Sequence, residues 1–318
     1  MSILRPLAGF LALGLIVAAC SSPAAPASAS ASASPTASAS ASPSASVSPS
    51  VKPTPTPAPT PTPSPSPVTL TLNSHVWWGG YSIDVSGAAY DPLKHKLNIT
   101  ATFLNTSTAA NDVSGLGAEL NVVWNSTYIQ GYIPIGAVPA AGTVRADIQV
   151  TVPKDFTPDT AVLTFGQPTE HQATVPLNGA AATSEQPTAL TVSGTLKMGK
   201  YVTFKLTSGS LMPASCSGYS NKIKFGAIKK NLMSIVLFGV AANSEPANDG
   251  YIDQAFVDVP DGTTSAANPT VGLVVPSKAT LRDVGLCFAV PAPGSGAYKL
   301  TMHESRSKAN GSVPFPVP

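Results

Sequence analysis

Three cysteines, four histidines and one tight aromatic cluster offer the most chemistry in this 318-residue chain. Cys20 stands directly behind Val17-Ala18-Ala19, at the end of a short apolar run. Cys216 lies in the turn-rich stretch Pro213-Ala214-Ser215-Cys216-Ser217-Gly218, and Cys287 in the apolar run Val284-Gly285-Leu286-Cys287-Phe288. Neither has a second Cys or His at ligand spacing, so the sequence gives no support for a metal centre. His75, His95, His171 and His303 are scattered, and none forms H-E-x-x-H or another ligand pair. No serine sits in a G-x-S-x-G elbow. Ser305-Arg306-Ser307-Lys308 spells S-x-x-K, but outside any helical pattern, where that motif has no packed helix to act from. No catalytic set and no cofactor are expected.

Trp77-Trp78-Gly79-Gly80-Tyr81 is the densest aromatic cluster. Neighbours on a strand point to opposite faces, so both tryptophans cannot enter one core. Either one of them stacks on a sugar or a peptide side chain, with Tyr81 beside it, or one packs inward and the other is covered by the linker or a second domain. Glu245, Asp249, Asp253, Asp258 and Asp261, with Asn243 and Asn248, form a local acidic stretch. Convergent loop oxygens bind Ca²⁺, but period-two placement scatters these side chains over both faces, and solvated loop charges are the expectation.

The elements that place these residues begin with a leader. Arg5 supplies a positive start, and Leu7 to Val17 is apolar, too short to span a bilayer comfortably but of export-signal length. Leu15-Ile16-Val17-Ala18-Ala19-Cys20 resembles the lipobox of bacterial lipoproteins. That resemblance implies removal of residues 1–19 and diacylglycerol on the Cys20 sulfur, anchoring the chain to the outer face of the cell membrane. Each buried methylene of the acyl chains adds about 0.8 kcal/mol. With Cys20 so used, Cys216 and Cys287 are an even remainder, which fits one disulfide in an exported protein; two free buried thiols are the alternative.

Residues 20–67 read as a disordered linker. The first part is nearly all Ser, Ala and Pro, without an apolar face to offset chain entropy. From Pro53 to Pro67 proline falls at every second position, which favours polyproline II and gives roughly 45 Å of semi-rigid spacer. The formal net charge is +2 and no basic patch stands out, so nucleic acid is not an expected partner.

The rest reads as all-β. Leu97, Ile99, Ala101 and Phe103 alternate with polar residues, as do Val144, Ala146, Ile148, Val150 and Val152. Fragments then return at an offset near 120 residues: Gly131-Tyr132-Ile133 as Gly250-Tyr251-Ile252, Val138-Pro139 as Val259-Pro260, Val152-Pro153 as Val275-Pro276, and Ala161 to Phe165 as Val284 to Phe288. The pair Asn111-Asp112 and Asn248-Asp249 fits a larger shift, with an insertion near Cys216. Two tandem β-sandwich domains are expected, 68–179 and 187–304, with a hinge at 180–186 and a disordered tail, 305–318.

Leu97-x-Ile99-x-Ala101-x-Phe103-x-Asn105-x-Ser107, followed by Pro153-x-x-Phe156 and Leu163-x-Phe165, resembles the immunoglobulin-like domains of unknown function on bacterial lipoproteins. The second copy departs from the pattern at Val236-Leu237-Phe238-Gly239-Val240. The resemblance implies an immunoglobulin-like fold and surface placement, and it transfers no catalytic residue. The expectation is a non-enzymatic binding or structural module, its partner a cell-wall polymer or an envelope protein. The alternative is glycan or small-ligand binding through Trp77, Trp78 and Tyr81.

Overall fold

A computed structural model describes residues 64–112, 120–218, 222–268, 270–292 and 295–318. The leader 1–19, Cys20 and nearly all of the 20–67 linker lie outside the described residues. Apart from a three-residue 3-10 turn at Pro158–Thr160, every regular element described is a strand, so the fold is all-β.

The first sandwich contains β1 (Val68–Trp78), β2 (Tyr81–Asp91), β3 (Lys96–Asn105), β4 (Asn111–Asp112), β5 (Leu120–Trp124), β6 (Thr127–Gln130), β7 (Ala137–Val138), β8 (Thr143–Thr151), β9 (Val162–Phe165) and β10 (Ala173–Pro176). One antiparallel sheet has the order β1-β2-β3-β8 and the other β10-β9-β5-β6. The period-two pattern sets the inner faces. Leu97, Ile99 and Ala101 on β3 are wholly buried, and Ile99 pairs across to Ile148 of β8. Leu163 of β9 pairs with Val122 of β5 on the facing sheet. Gly79 and Gly80 have φ of 57° and 89° and join β1 to β2, the left-handed pair that a two-residue hairpin turn requires.

The second sandwich contains β11 (Thr188–Leu190), β12 (Gly194–Met198), β13 (Val202–Met212), β14 (Ser215–Ser217), β15 (Lys224–Gly226), β16 (Leu232–Asn243), β17 (Gly250–Asp258), β18 (Thr264–Ala266), β19 (Leu273–Val275), β20 (Thr280–Pro291), β21 (Gly296–Glu304) and β22 (Ala309–Val317). Its sheets are β11-β13-β16-β20, with β12 also on β13, and β18-β17-β21-β22, with β19 also on β17. The first core runs from Leu72 to Leu177 and the second from Leu190 to Val317.

The two strand orders are the same once β1 is matched to β11 and β12, β2 to β13, β3 to β16, β8 to β20, β5 to β17, β9 to β21 and β10 to β22. The offset is about 120 residues through β2 and rises to about 138 from β3 onward. Leu97 opposite Val150 in the first sandwich thus becomes Ile235 opposite Phe288 in the second. The matches of Gly131–Ile133 to Gly250–Ile252, Val138-Pro139 to Val259-Pro260, Val152-Pro153 to Val275-Pro276 and Ala161–Phe165 to Val284–Phe288 all lie beyond β2 at the smaller offset and therefore do not hold. The step between the two offsets is the insertion carrying the β14-β15 ribbon.

The corrected offset also removes the disordered tail. Residues 309–317 form β22 along the whole length of β21, and Val313, Phe315 and Val317 are buried. Pro314 and Pro316 fall on exposed positions of this strand at the end of its sheet, where a missing N–H is tolerated.

Candidate functional site

Each sandwich has one end built in the same way, from the first hairpin, the end of β3 or β16, and the return between the last two strands. An asparagine holds each end together. Asn105, fully buried, donates from Nδ2 to the carbonyls of Ala109 (2.9 Å) and Val138 (2.9 Å), and its Oδ1 accepts from the Ser107 amide (2.8 Å). Asn243 donates to the carbonyls of Asn248 (2.9 Å) and Val275 (3.1 Å), and accepts from the Glu245 amide (2.9 Å). Thr106 bonds through N and Oγ1 to the Gly80 carbonyl. Ser244 does the same to Tyr201. Gly80 and Tyr201 are therefore equivalent positions, as are Ser107 and Glu245.

At the first sandwich this end is occupied by the inserted ribbon of the second. Thr108 N donates to the Ile223 carbonyl (3.0 Å), and Ile223 N donates back to Thr108 Oγ1 (2.8 Å). Phe225 N donates to Ser107 Oγ (3.1 Å), and Asn111 Nδ2 donates to the Phe225 carbonyl (2.7 Å). A Cβ at position 80 would fall into the Phe225 side chain, so this site requires glycine. The continuation of the ribbon pairs with the β9–β10 return: His171 N donates to the Ile228 carbonyl (3.0 Å) and Lys230 N to Thr169 (3.0 Å). His171 also lies 2.8 Å from the Leu232 carbonyl through Nε2 and 2.6 Å from Glu185 through Nδ1. Residues 180–186 are pinned at two points, because Thr183 exchanges backbone bonds with Thr174 and Ser184 Oγ accepts from Trp77 N (3.0 Å).

The aromatic cluster sits in this junction and is buried. Trp78 (3 % exposed) and Tyr81 (0 %) enter the first core. Trp77 (5 %) faces the other way, into a small third core with Met212, Cys216, Phe225, Val236 and Cys287. The second sandwich covers it, so none of the three offers a face to a ligand, and the glycan reading loses its support. Burial, with the Asp112 carboxylate as a lesser cause, holds the Tyr81 phenol far above its usual pKa, and it stays neutral. Cys216 and Cys287 are joined in a disulfide, Cα atoms 6.3 Å apart, which ties the ribbon to β20.

The equivalent end of the second sandwich is open. A cavity of about 310 Å³ is lined there by residues that include Lys200, Tyr201, Glu245, Asp249, Glu304 and Arg306. Lys200 Nζ lies 5.0 Å above the Tyr201 ring centre. Glu304 is 2 % exposed and forms the floor. Its carboxylate accepts from the amides of Tyr251 (3.0 Å), Arg306 (3.1 Å) and Ser307 (2.7 Å). Burial alone would raise its pKa; the bonds from Ser307, Tyr251 and Arg306 outweigh this and hold it below the usual range. Arg306 is fixed to the rim by bonds to Asp249 O and Asn248 Oδ1, both 3.0 Å.

The sequence pointed to the acidic stretch but not to this cavity. Of that stretch, only Asn243, Glu245, Asn248 and Asp249 gather here. Asp253 pairs with His303 (2.6 Å), Asp258 with Lys299 (2.8 Å), and Asp261 caps the Thr263 amide (2.8 Å). Among the described residues no three His, Cys, Asp or Glu side chains converge to hold a metal ion. Glu304 is the last residue of the expected second sandwich, 187–304, and Arg306 falls in the expected tail, 305–318. The signal that identifies them is the E-S-R-S turn between two alternating runs.

No family model and no curated protein matches the chain. Among solved structures it is similar to a conserved domain protein from Bacillus anthracis, at 8% identity over 78% of this chain and 90% of that one, with a TM-score of 0.23. A likeness at that level carries no argument about fold or activity.

Proposed function

We propose that the chain is a bacterial surface lipoprotein, exported and anchored through Cys20, whose two immunoglobulin-like sandwiches form a non-enzymatic binding or structural module. The carrying observation is Val17-Ala18-Ala19-Cys20 at the end of an apolar run, followed at once by a Ser/Ala/Pro spacer. Facing pairs of antiparallel sheets support the immunoglobulin-like part. A module role is supported by the junction, where one sandwich end takes up the extended segment Ile223 to Phe225 through backbone hydrogen bonds. No helix among the described residues is long and apolar enough to cross a membrane. The partner on this reading is wall polymer or another envelope protein. Growth in radiolabelled palmitate tests the anchor: the wild-type chain takes up label and Cys20→Ala does not. An unlabelled wild-type chain, or equal label in the variant, would sink the proposal.

A further inference from the structure

We propose that the open end of the second sandwich binds an extended, basic polypeptide segment of a partner protein, in the way the equivalent end of the first sandwich binds the inserted ribbon. This rests on the reading of the chain as a binding module.

The argument is the internal repeat. The Asn105 and Asn243 ends share three bonds: to a carbonyl four or five residues on, to the carbonyl of Val138 or Val275, and from the amide two residues on; Asn105 adds a fourth, to Pro139. One is covered by an extended segment held through both N–H and C=O of alternate residues, Ile223 and Phe225. This is the backbone-mediated mode by which sheet proteins take up peptides. The other end, at Asn243, keeps a cavity of about 310 Å³.

The differences between the ends specify the occupant. The segment on the first end is basic, with Lys222, Lys224, Lys229 and Lys230. Where it meets the Ser107 hydroxyl, the open end has the Glu245 carboxylate, which is half-buried and whose side chain makes no bond among the described residues. Carboxylates outnumber cations in the lining, with Glu245, Asp249 and Glu304 against Lys200 and Arg306. Lys200 lies over the Tyr201 ring, so that ring already accepts a cation on its face. Tyr201 stands where Gly80 makes room for Phe225, so the open end has no space for a large apolar anchor at that point. The preferred segment is therefore extended and basic, with a small residue in place of the phenylalanine.

Two fluorescent nonapeptides test this by polarisation titration against the full chain. Both copy residues 222–230, one with alanine for phenylalanine. The alanine peptide is expected to bind saturably and at least about tenfold more tightly than the phenylalanine peptide. Glu245→Lys should weaken it at least about tenfold, and Thr108→Ala at the occupied end should leave it unchanged. Three results overturn the proposal: no saturable binding of the alanine peptide, equal binding of the two peptides, or binding that survives Glu245→Lys. Loss on Thr108→Ala would place the peptide at the other end and also overturns it. Peptide binding does not depend on lipid, so failure here and failure of palmitate labelling are distinguishable.

Discussion

At the scale of single residues, the deciding features are polar groups that organise backbone. Asn105, Asn243 and Glu304 are buried, and each bonds several main-chain groups. A buried carboxylate satisfied by three amides stabilises only while it is charged. The folded pKa of Glu304 is depressed, so its contribution is present above the ordinary carboxylate range and is lost as pH falls through the folded value. Glu304→Gln keeps the shape and removes the charge. It should cost about 1–3 kcal/mol at pH 7 and much less at pH 3. Urea melts at the two pH values check this; an equal loss at both would contradict the linkage. The alternation of β3 and β8 was legible because each residue there has only two neighbours to satisfy, core or water. Glu304 was not legible, because its role depends on the turn just after it folding back and on the start of β17, where Tyr251 lies 53 residues away.

At the scale of elements, the inserted ribbon is decisive. It fills one end of the first sandwich, buries Trp77, and is tied to β20 by the disulfide. That bond closes a separation of 71 residues, worth about 4 kcal/mol in the chain-entropy model. Cys216→Ser with Cys287→Ser should therefore lower stability by roughly 3–4 kcal/mol. It should also loosen the ribbon and split one cooperative unfolding transition into two. Calorimetry reads both, and a single unchanged transition would contradict the role given to the ribbon. The insertion also explains the one large misreading of the sequence. Its extra residues shift every later match, and recurring Val-Pro pairs then align strands that are not equivalent. The last strand was left over and read as tail, helped by Pro314 and Pro316. Deleting residues 305–318 should accordingly remove the burial of Val313, Phe315 and Val317, about 1.5–3 kcal/mol each. The second sandwich would not fold stably, and the truncated chain would be recovered insoluble or with a much smaller unfolding enthalpy than the intact one. A truncated chain that melts like the intact one would restore the tail.

At the scale of the whole described molecule, fold class was legible and the junction was not. Period-two runs with turn residues between them specify strands wherever they occur. Burial of Trp78 comes from its own sandwich, against Phe165, but that of Trp77 depends on surfaces contributed by residues well over a hundred positions away, Cys216 and Phe225 among them. The pairing of like ends with unlike fates, one covered and one open, follows from where a single insertion was placed.

Strand direction gives the molecule a front and a back. The chain enters β1 at Val68 and reaches the covered end at Trp78, while β13 and β16 run between the ribbon, near Met212 and Leu232, and the open end, at Val202 and Asn243. Strands of about ten residues make each sandwich roughly 30–35 Å long. The ribbon and the vacant end therefore lie at opposite ends of β13 and β16, so a segment seated at one does not reach the other.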